Sequence, residues 1–302
     1  MFLIILRRLA ESLLTILAIV SVSFFMMKYA PGGPFDSEKN PPEAIRKAIE
    51  ARYHLDESLF SQYLRYMRGL LELDLGPSFQ VAHLSVNEVL AEGMGYTLRI
   101  GLWTMLLSVV VGVIIGMMAA WYRNRLADHV LMSLAMTGIS IPSMVLAPVL
   151  LLLFGVTWNL LPTSGLHGTA SYILPVFCLS LFYIANIARL TRGSMLEVLS
   201  SNYIRTARAK GLSTQAILFG HALRPAMIPV LSYLGPAMAG MLAGSLVIEK
   251  IFVIPGVGRQ FVDSAFARDY TMALGMIIFY CVMVVFFNAI VDIIYRVLDP
   301  QI

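Results

Sequence analysis

Residues 203–212 read Tyr-Ile-Arg-Thr-Ala-Arg-Ala-Lys-Gly-Leu, and they lie within a polar stretch, 189–226, that separates two long apolar runs. The stretch holds six lysines and arginines and a single acid, Glu197. Its pattern predicts a short helix that stops at Gly211, a second helix capped by Ser213, and Pro225 before the next apolar run. A compact basic helix pair between apolar runs indicates a docking surface for a soluble partner.

The composition indicates a membrane protein. Of the 302 residues, 58% are hydrophobic and 13% are charged, whereas about one quarter of the residues in a soluble domain are charged. The mean hydropathy of +0.78 agrees. These values argue against a soluble enzyme, and the modest net charge of +4 does not indicate a nucleic-acid partner.

Six apolar segments are long enough to cross a hydrocarbon core of about 30 Å as helices. We therefore predict an all-α integral membrane protein with six transmembrane helices. The predicted spans are 9–29, 97–121, 131–157, 171–188, 227–248 and 272–295. The first lacks a clear cleavage site, so we predict a retained helix and not a signal peptide. Five prolines, at 142, 148, 175, 229 and 236, are predicted to interrupt spans three to five.

The distribution of lysine and arginine predicts the orientation. With a cytoplasmic N-terminus, eleven of them fall on the cytoplasmic side, and only Lys250, Arg259 and Arg268 fall in the two short outer loops. The positive-inside rule then places both termini in the cytoplasm. The predicted organisation is an N-terminus and first helix over 1–30, an extracytoplasmic segment over 31–95, and a transmembrane domain over 96–296 that contains the polar loop 189–226.

The 31–95 segment has its own helix signals. Two prolines precede a predicted helix over 43–50. Asp56 is the predicted cap of a second helix, which the glycine and proline of 74–78 end. The apolar residues of this helix are predicted to be buried on one face: Leu59, Phe60, Tyr63, Leu64, Met67 and Leu71.

Residues for catalysis or metal binding are not evident in the sequence. Spans two to five have no acid or histidine at their centres, the five histidines lack metal-ligand spacing, and the Gly-Lys pair of a phosphate-binding loop does not occur. We therefore expect no catalytic, metal-binding or cofactor-binding residues and an ATP site on another chain. Asn288 and Asp292 share a helix face, where they line the inner mouth of a pathway or hydrogen-bond a neighbouring helix.

Several blocks of this sequence resemble the peptide-transport branch of the type I ABC importer permeases. The 203–212 block is similar to the cytoplasmic signature loop of that branch, although Pro225 falls fourteen residues after Gly211, one more than the general pattern has. Leu73 occupies a position where the family usually has Gly. The other similar blocks are 30–32, 74–79, 192–199, 221–225, 249–258, 268–270, 288–292 and 299–300.

This resemblance implies a heteromeric importer that takes up oligopeptides or dipeptides. The expected partners are a homologous second permease, two ATPase subunits that hold ATP and Mg²⁺, an extracytoplasmic peptide-binding protein and membrane lipid, all at a bacterial inner membrane. The implied coupling helix that docks on an ATPase consists of Tyr203, Ile204, Arg205, Thr206, Ala207, Arg208, Ala209, Lys210, Gly211 and Leu212. The candidate contacts for the binding protein are Lys250, Arg259, Asp263, Arg268 and Asp269.

Other interpretations remain at this stage. The basic helix also suits anionic lipid headgroups. Nickel chelates, glutathione or antimicrobial peptides are alternative substrates of the same class of permease. A self-contained channel or ion-coupled carrier would be expected to show midplane charges or inverted repeats, and a membrane-embedded enzyme would need a catalytic set.

Overall fold

The computed structural model describes residues 2–29, 47, 51, 53–79, 84–165 and 168–298, without the side chains of 2–9 and 292–298. Regular structure in these residues is helical, apart from one isolated antiparallel bridge between Pro77 and Ser85. The α-helices are α1 (Phe2–Tyr29), α2 (Leu59–Leu71), α3 (Val86–Trp121), α4 (Leu126–Ser140), α5 (Ser143–Leu150), α6 (Ile173–Leu199), α7 (Asn202–Ala209), α8 (Leu223–Ala226), α9 (Ile228–Ile251), α10 (Val257–Phe266) and α11 (Tyr270–Leu298). A 3₁₀ turn covers Thr169–Tyr172, and π-helical turns cover Leu151–Thr157 and Ala216–Ala222.

Five of the six predicted spans are present as single helices, and the third predicted span corresponds to a bent helix pair. Five helices among the described residues are long and apolar enough to cross a membrane, and a sixth span results if the bent pair Leu126–Ser140 and Ser143–Thr157 is counted as one. This pair bends by 98°. Pro142 lies at the bend, where the residue before a proline is disfavoured in the helical region. Pro175 and Pro229 instead lie in the first turns of α6 and α9, so the prediction that they interrupt spans is wrong.

Two spans extend well beyond their apolar windows. α3 starts at Val86 and not at 97, because Ser85 and Glu88 form a capping box at its N-terminus. The Ser85 N–H donates to Glu88 Oε2 at 2.8 Å, and the Glu88 N–H donates to Ser85 Oγ at 3.3 Å. α6 continues to Leu199, so the first eleven residues of the predicted 189–226 loop belong to a membrane helix.

The helix after the first span differs from its prediction in both cap and burial. Ser58, not Asp56, caps α2, because Ser58 Oγ accepts a hydrogen bond from the Ser61 N–H at 3.2 Å. None of the predicted apolar residues of α2 is buried in this chain, and Leu64 and Leu71 are exposed. The predicted helix over 43–50 lies almost wholly outside the described residues.

The chain divides into two compact units, the first of which contains residues 1–96 and 255–285. In this unit α1 packs on α2 through aromatic rings, with the Phe25 and Tyr63 centroids 5.2 Å apart. A separate apolar cluster joins the start of α3 to α10 and α11 through Val86, Val257 and Met276.

The second unit contains residues 97–254 and 286–302, and α6 is its most buried span. Two glycine pairs lie against this helix: Gly112 and Gly116 on α3, and Gly240 and Gly244 on α9. Small residues spaced four apart let helices approach closely. A Cβ at Gly116 would lie 2.5 Å from the Ala188 carbonyl oxygen, and one at Gly240 would lie 2.7 Å from the Tyr183 hydroxyl. The backbones of α3 and α9 can approach α6 because these positions carry no side chain.

Candidate docking sites

The predicted docking helix is present as α7, and one of its faces is buried. Ile204 is fully buried and Ala207 is 5% exposed. The two residues are three positions apart and therefore share a helix face. They belong to an apolar cluster with Met117, Met195 and Ile217. An apolar anchor thus fixes α7 to the rest of the second unit.

Gly211 ends α7 as the sequence predicts. Its φ is +75°. The Leu212 N–H donates to the Ala207 carbonyl at 3.3 Å, and the Gly211 N–H donates to the Arg208 carbonyl at 3.0 Å. These are the two hydrogen bonds of a Schellman motif, which needs a left-handed residue at this position. No atom would lie within 4 Å of a Cβ at Gly211, so the position requires its backbone conformation and not its small size.

The other face of α7 is exposed and basic. Arg205, Arg208 and Lys210 are exposed, and Tyr203 is 47% exposed beside them. The Arg208 guanidinium carbon lies 6.0 Å from the ring centroid of Trp121, within the range of a cation–π contact. The ten predicted residues therefore divide into two buried anchors, Ile204 and Ala207, and an exposed remainder.

The second helix of the loop begins at its predicted cap but has a different form. Ser213 Oγ accepts a hydrogen bond from the Ala216 N–H at 3.3 Å. The Ala216–Ala222 stretch is a π-helical turn, in which Leu218 is buried and Phe219 is exposed. A π-helical turn accommodates an additional residue without ending the helix. This explains how the chain holds one more residue between Gly211 and Pro225 than the family pattern has.

Arg192 is not part of the exposed basic surface, because it forms an ion pair with Asp128. Its Nε and Nη2 atoms each donate to one Asp128 carboxylate oxygen at 2.7 Å. Asp128 is 1% exposed and also accepts the Asn124 N–H at 3.0 Å. The sequence pattern alone does not reveal this pair. An acid in the first turn of an apolar helix was the available signal, but its partner lies 64 residues away.

The predicted contacts for a binding protein differ in their exposure. Arg259 and Asp263 form a partly exposed ion pair on α10, with Nε and Oδ2 3.5 Å apart. Arg268 is exposed, and its φ of 57° places it at the left-handed position that ends α10. Lys250 is exposed at the C-terminal end of α9, in the second unit. These four charges are accessible in this chain.

Asp269 is buried, so its prediction as a surface contact is wrong. It is 2% exposed and precedes α11. Its Oδ2 accepts the Ser78 hydroxyl at 2.5 Å and the Phe79 N–H at 3.0 Å, while Oδ1 accepts the Met272 N–H at 3.1 Å. Asp269 therefore caps α11 and ties the segment after α2 to it, because three donors from two segments compensate for the burial of its charge.

Asn288 faces a neighbouring helix. A Cβ at Gly235 of α9 would lie 2.6 Å from Asn288 Oδ1. This closeness favours the packing interpretation of Asn288 over a role at the inner mouth. The side chain of Asp292 lies outside the described residues. Among the described residues, no group of three or more His, Cys, Asp or Glu side chains could hold a metal ion.

Comparison with known families gives the context for this geometry. The model of the family described as "Binding-protein-dependent transport system inner membrane component" matches residues 112–302, which include α6, α7 and the Gly211 turn. The chain belongs to this family. α7 and the Gly211 turn are therefore parts of an inner-membrane transport component.

Individual members of the family resemble the chain over almost its full length. The oligopeptide transport system permease protein OppB of Haemophilus influenzae is 47% identical over 298 residues, covering 98% of this chain and 97% of that protein. OppB of Salmonella typhimurium is 47% identical over 300 residues, covering 99% and 98%. The dipeptide transport system permease protein DppB of Bacillus subtilis is 43% identical over 288 residues, covering 95% and 94%.

Solved structures show the same fold. A chain of the MetNI methionine ABC transporter in an inward-facing conformation superposes with a TM-score of 0.59 at 17% identity, covering 70% of this chain and 96% of that chain. A chain of an amino acid ABC transporter with histidines gives a TM-score of 0.53 at 18% identity, covering 70% and 94%. The fold of this family member is thus that of an ABC transporter membrane subunit.

Proposed function

We propose that this chain is the membrane-spanning permease subunit of a peptide importer of the ABC class. The observation that carries the proposal is its identity of more than 40% with oligopeptide and dipeptide permeases over almost its whole length. The chain would form part of the pathway through which oligopeptides or dipeptides cross the bacterial inner membrane, with both of its termini in the cytoplasm.

The importer would contain several further subunits. A homologous second permease would complete the pathway, two ATPase subunits would bind on the cytoplasmic side, and a binding protein would deliver peptide from outside. ATP and Mg²⁺ would be held by the ATPase subunits. In this scheme the chain itself is not an enzyme and carries no cofactor, and its task is to convert ATPase movement into opening of the pathway.

α7 is the proposed coupling helix because its structure suits force transmission. Ile204 anchors it on one side, the Schellman turn at Gly211 fixes its end, and Tyr203 and Arg205 are left exposed for a partner. A short helix that is held at its end and along one face cannot pivot when it is pushed. Basic and aromatic side chains would also suit lipid headgroups, but the sequence likeness to permeases favours an ATPase.

On the extracytoplasmic side, we propose that exposed charges receive the binding protein. The proposal retains Lys250, Arg259, Asp263 and Arg268 and leaves out the buried Asp269. Mixed charge at an exposed surface supports fast and reversible encounter more than tight affinity. At the inner mouth, Asp292 remains the candidate, and Asn288 is assigned to helix packing.

The docking assignment is tested with Arg205→Glu. In the complete transporter in proteoliposomes, reversing this exposed charge should reduce both the amount of ATPase that co-purifies with the permease and ATP-dependent uptake of a labelled tripeptide. Arg123→Glu is the matched control, because Arg123 is an exposed arginine in the loop between α3 and α4, outside α7. Equal uptake by the two variants, with equal ATPase content, would refute docking through α7.

The substrate is tested separately with the unmodified transporter. Uptake of labelled dipeptides and oligopeptides should depend on ATP and on the cognate binding protein. Uptake of a nickel chelate or of glutathione, with no uptake of peptides, would contradict the peptide assignment while leaving the permease assignment intact.

A further inference from the structure

α2 carries an apolar stripe that the proposed transport function does not use. The stripe consists of Phe60, Leu64, Met67 and Leu71, which recur at spacings of four, three and four and therefore share one helix face. Phe60 is 63%, Leu64 52% and Leu71 85% exposed, and Met67 is half-buried. Large apolar side chains aligned on one exposed face indicate a surface that something outside this chain covers.

α2 meets α1 through a single turn. Among the described residues, the hydrogen bonds and ring contacts between the two helices all come from positions 62, 63 and 66 of α2. Gln62 Oε1 accepts from Lys28 Nζ at 2.6 Å, the Tyr66 and Phe24 ring centroids lie 5.9 Å apart, and the Tyr63 hydroxyl lies 2.7 Å from Ser21 Oγ. A helix that ran alongside α1 would contact it over several turns.

The order of these contacts indicates which way the stripe faces. At about 100° per residue, Gln62, Tyr66, Tyr63 and then the stripe follow one another around α2. Their contacts on α1 move in the same order from Lys28 to Ser21, which lies about 10 Å further into the span. The depth of each contact thus follows the position around α2 and not the order along it, as expected of a helix that lies across α1. The stripe comes next after Tyr63, so it faces inward along α1.

The part of α1 that the stripe faces is apolar. Ser21 and Lys28 both lie within its apolar window, Ala10–Tyr29. Lys28 is in the last turn of α1, where a lysine of a transmembrane helix marks the level of the headgroups. Between these two levels α1 itself exposes Val22 and Met26. The stripe therefore faces the hydrocarbon beside α1, and a lipid leaflet is the partner that this position offers.

A charged face lies beside the stripe on α2. Arg65 and Glu72 follow Leu64 and Leu71 in the sequence, so each lies about 100° around the helix from its apolar neighbour. Glu72 Oε1 accepts from Arg68 Nε at 3.3 Å, and Arg65 forms an ion pair of its own. A helix with one apolar and one charged face lies in the membrane interface, with its apolar face about 5–10 Å into the boundary between headgroups and acyl chains.

We propose that α2 is an interfacial helix whose apolar stripe inserts among the acyl chains of the lipid leaflet at the C-terminal end of α1. In the orientation proposed above, this is the outer leaflet. Because Gln62 and Tyr63 connect α2 to the last turns of α1, the leaflet then holds the end of the first span at a fixed depth. This role is independent of which substrate the transporter carries.

Fluorescence quenching of the complete transporter in nanodiscs tests the proposal. Leu64→Cys and Leu71→Cys are made one at a time in a permease whose own cysteines, Cys178 and Cys281, are changed to alanine, and each is labelled with bimane. The signal of the labelled transporter without an introduced cysteine is subtracted. Phosphatidylcholine brominated on its acyl chains should quench the bimane at both positions, and aqueous iodide should not.

Two control positions calibrate the measurement. Arg65→Cys lies on the charged face of the same helix and is exposed, so iodide should quench its label and brominated lipid should not. The emission at Leu64→Cys should also lie at a shorter wavelength than that at Arg65→Cys. Val22→Cys is exposed on α1 within the apolar window, so brominated lipid should quench its label.

Two results would overturn the proposal. Quenching of Leu64→Cys and Leu71→Cys by iodide, as at Arg65→Cys, would place the stripe in water. Protection of both positions from iodide and from brominated lipid, while Val22→Cys is quenched by the lipid, would show that a protein partner covers the stripe.

Discussion

Removing the buried carboxylate of Asp128 should destabilise the transporter by about 3 kcal/mol. Asp128→Asn keeps the side-chain volume but leaves the Arg192 guanidinium without its counter-charge and disturbs the acceptor of the Asn124 N–H. Breaking a buried ion pair by neutralising one partner costs about 3–5 kcal/mol. We take the lower end because the Arg192 side chain is 29% exposed and water can solvate part of its charge.

A double-mutant cycle separates the pair from its surroundings. Arg192→Met should also destabilise, because it leaves the Asp128 charge buried. The double variant should lose less than the sum of the single losses, with an interaction energy of about 2 kcal/mol, because the second substitution removes an isolated charge. Additive losses would show that the two side chains act independently and would refute the reasoning.

The assay is thermal or detergent-induced unfolding of the purified complex, with peptide uptake measured in parallel. Asp263→Asn is the control, since Asp263 pairs with Arg259 four residues away in a partly exposed position. A surface pair of this kind contributes about 0–1 kcal/mol. If Asp128→Asn destabilises the complex no more than Asp263→Asn, the buried ion pair contributes no more to stability than the partly exposed one, and the reasoning from burial is wrong.

Three further predictions concern backbone positions. Gly211→Ala should destabilise the loop that contains α7 by about 1–2 kcal/mol, because a Cβ is disfavoured at φ +75°, and ATP-dependent uptake should fall. Gly193→Ala is the control: its Cβ would also lie in open space, within the helix α6, so neither stability nor uptake should fall. Gly116→Ala should cost about 1–3 kcal/mol in thermal unfolding, because the new Cβ would meet the α6 backbone, whereas Gly95→Ala on the same helix has open space and should be tolerated. Leu73→Gly should stabilise by roughly 1 kcal/mol, because Leu73 is 82% exposed and holds a φ of 58°; a lower unfolding temperature for this variant would contradict the strain argument.

Local sequence signals predicted the helical parts of the site well. The stop at Gly211 and the cap at Ser213 depend on neighbouring backbone groups only, so a short window contains the information. Leu73 has a φ of 58°, a conformation that favours glycine, and it occupies a position where the family usually has Gly. The start of α3 also has a local signal, the Ser85–Glu88 capping box, which a prediction from hydropathy alone does not include.

The missed features depend on partners far away in the chain. Asp269 was predicted to be an exposed charge, but Ser78 and Phe79, about 190 residues earlier, make its burial possible. Arg192 is one of the six basic residues of the 189–226 stretch, and only the fold brings it to Asp128. The amphipathic pattern of α2 indicated burial, yet none of its apolar residues is buried in this chain and Leu64 and Leu71 are exposed, since a pattern cannot say which surface will cover a face.

α6 is the element through which a movement of α7 would reach the rest of the second unit. Only Ser200 and Ser201 separate the two helices, and Ile204 of α7 shares its cluster with Met195 of α6. One turn earlier, Arg192 holds α6 to Asp128 at the start of α4. Since the glycine contacts with α3 and α9 leave no space for a Cβ, these helices cannot slide past α6 by small continuous steps. A push on α7 would therefore displace α6 together with its neighbours, which is what a coupling helix requires.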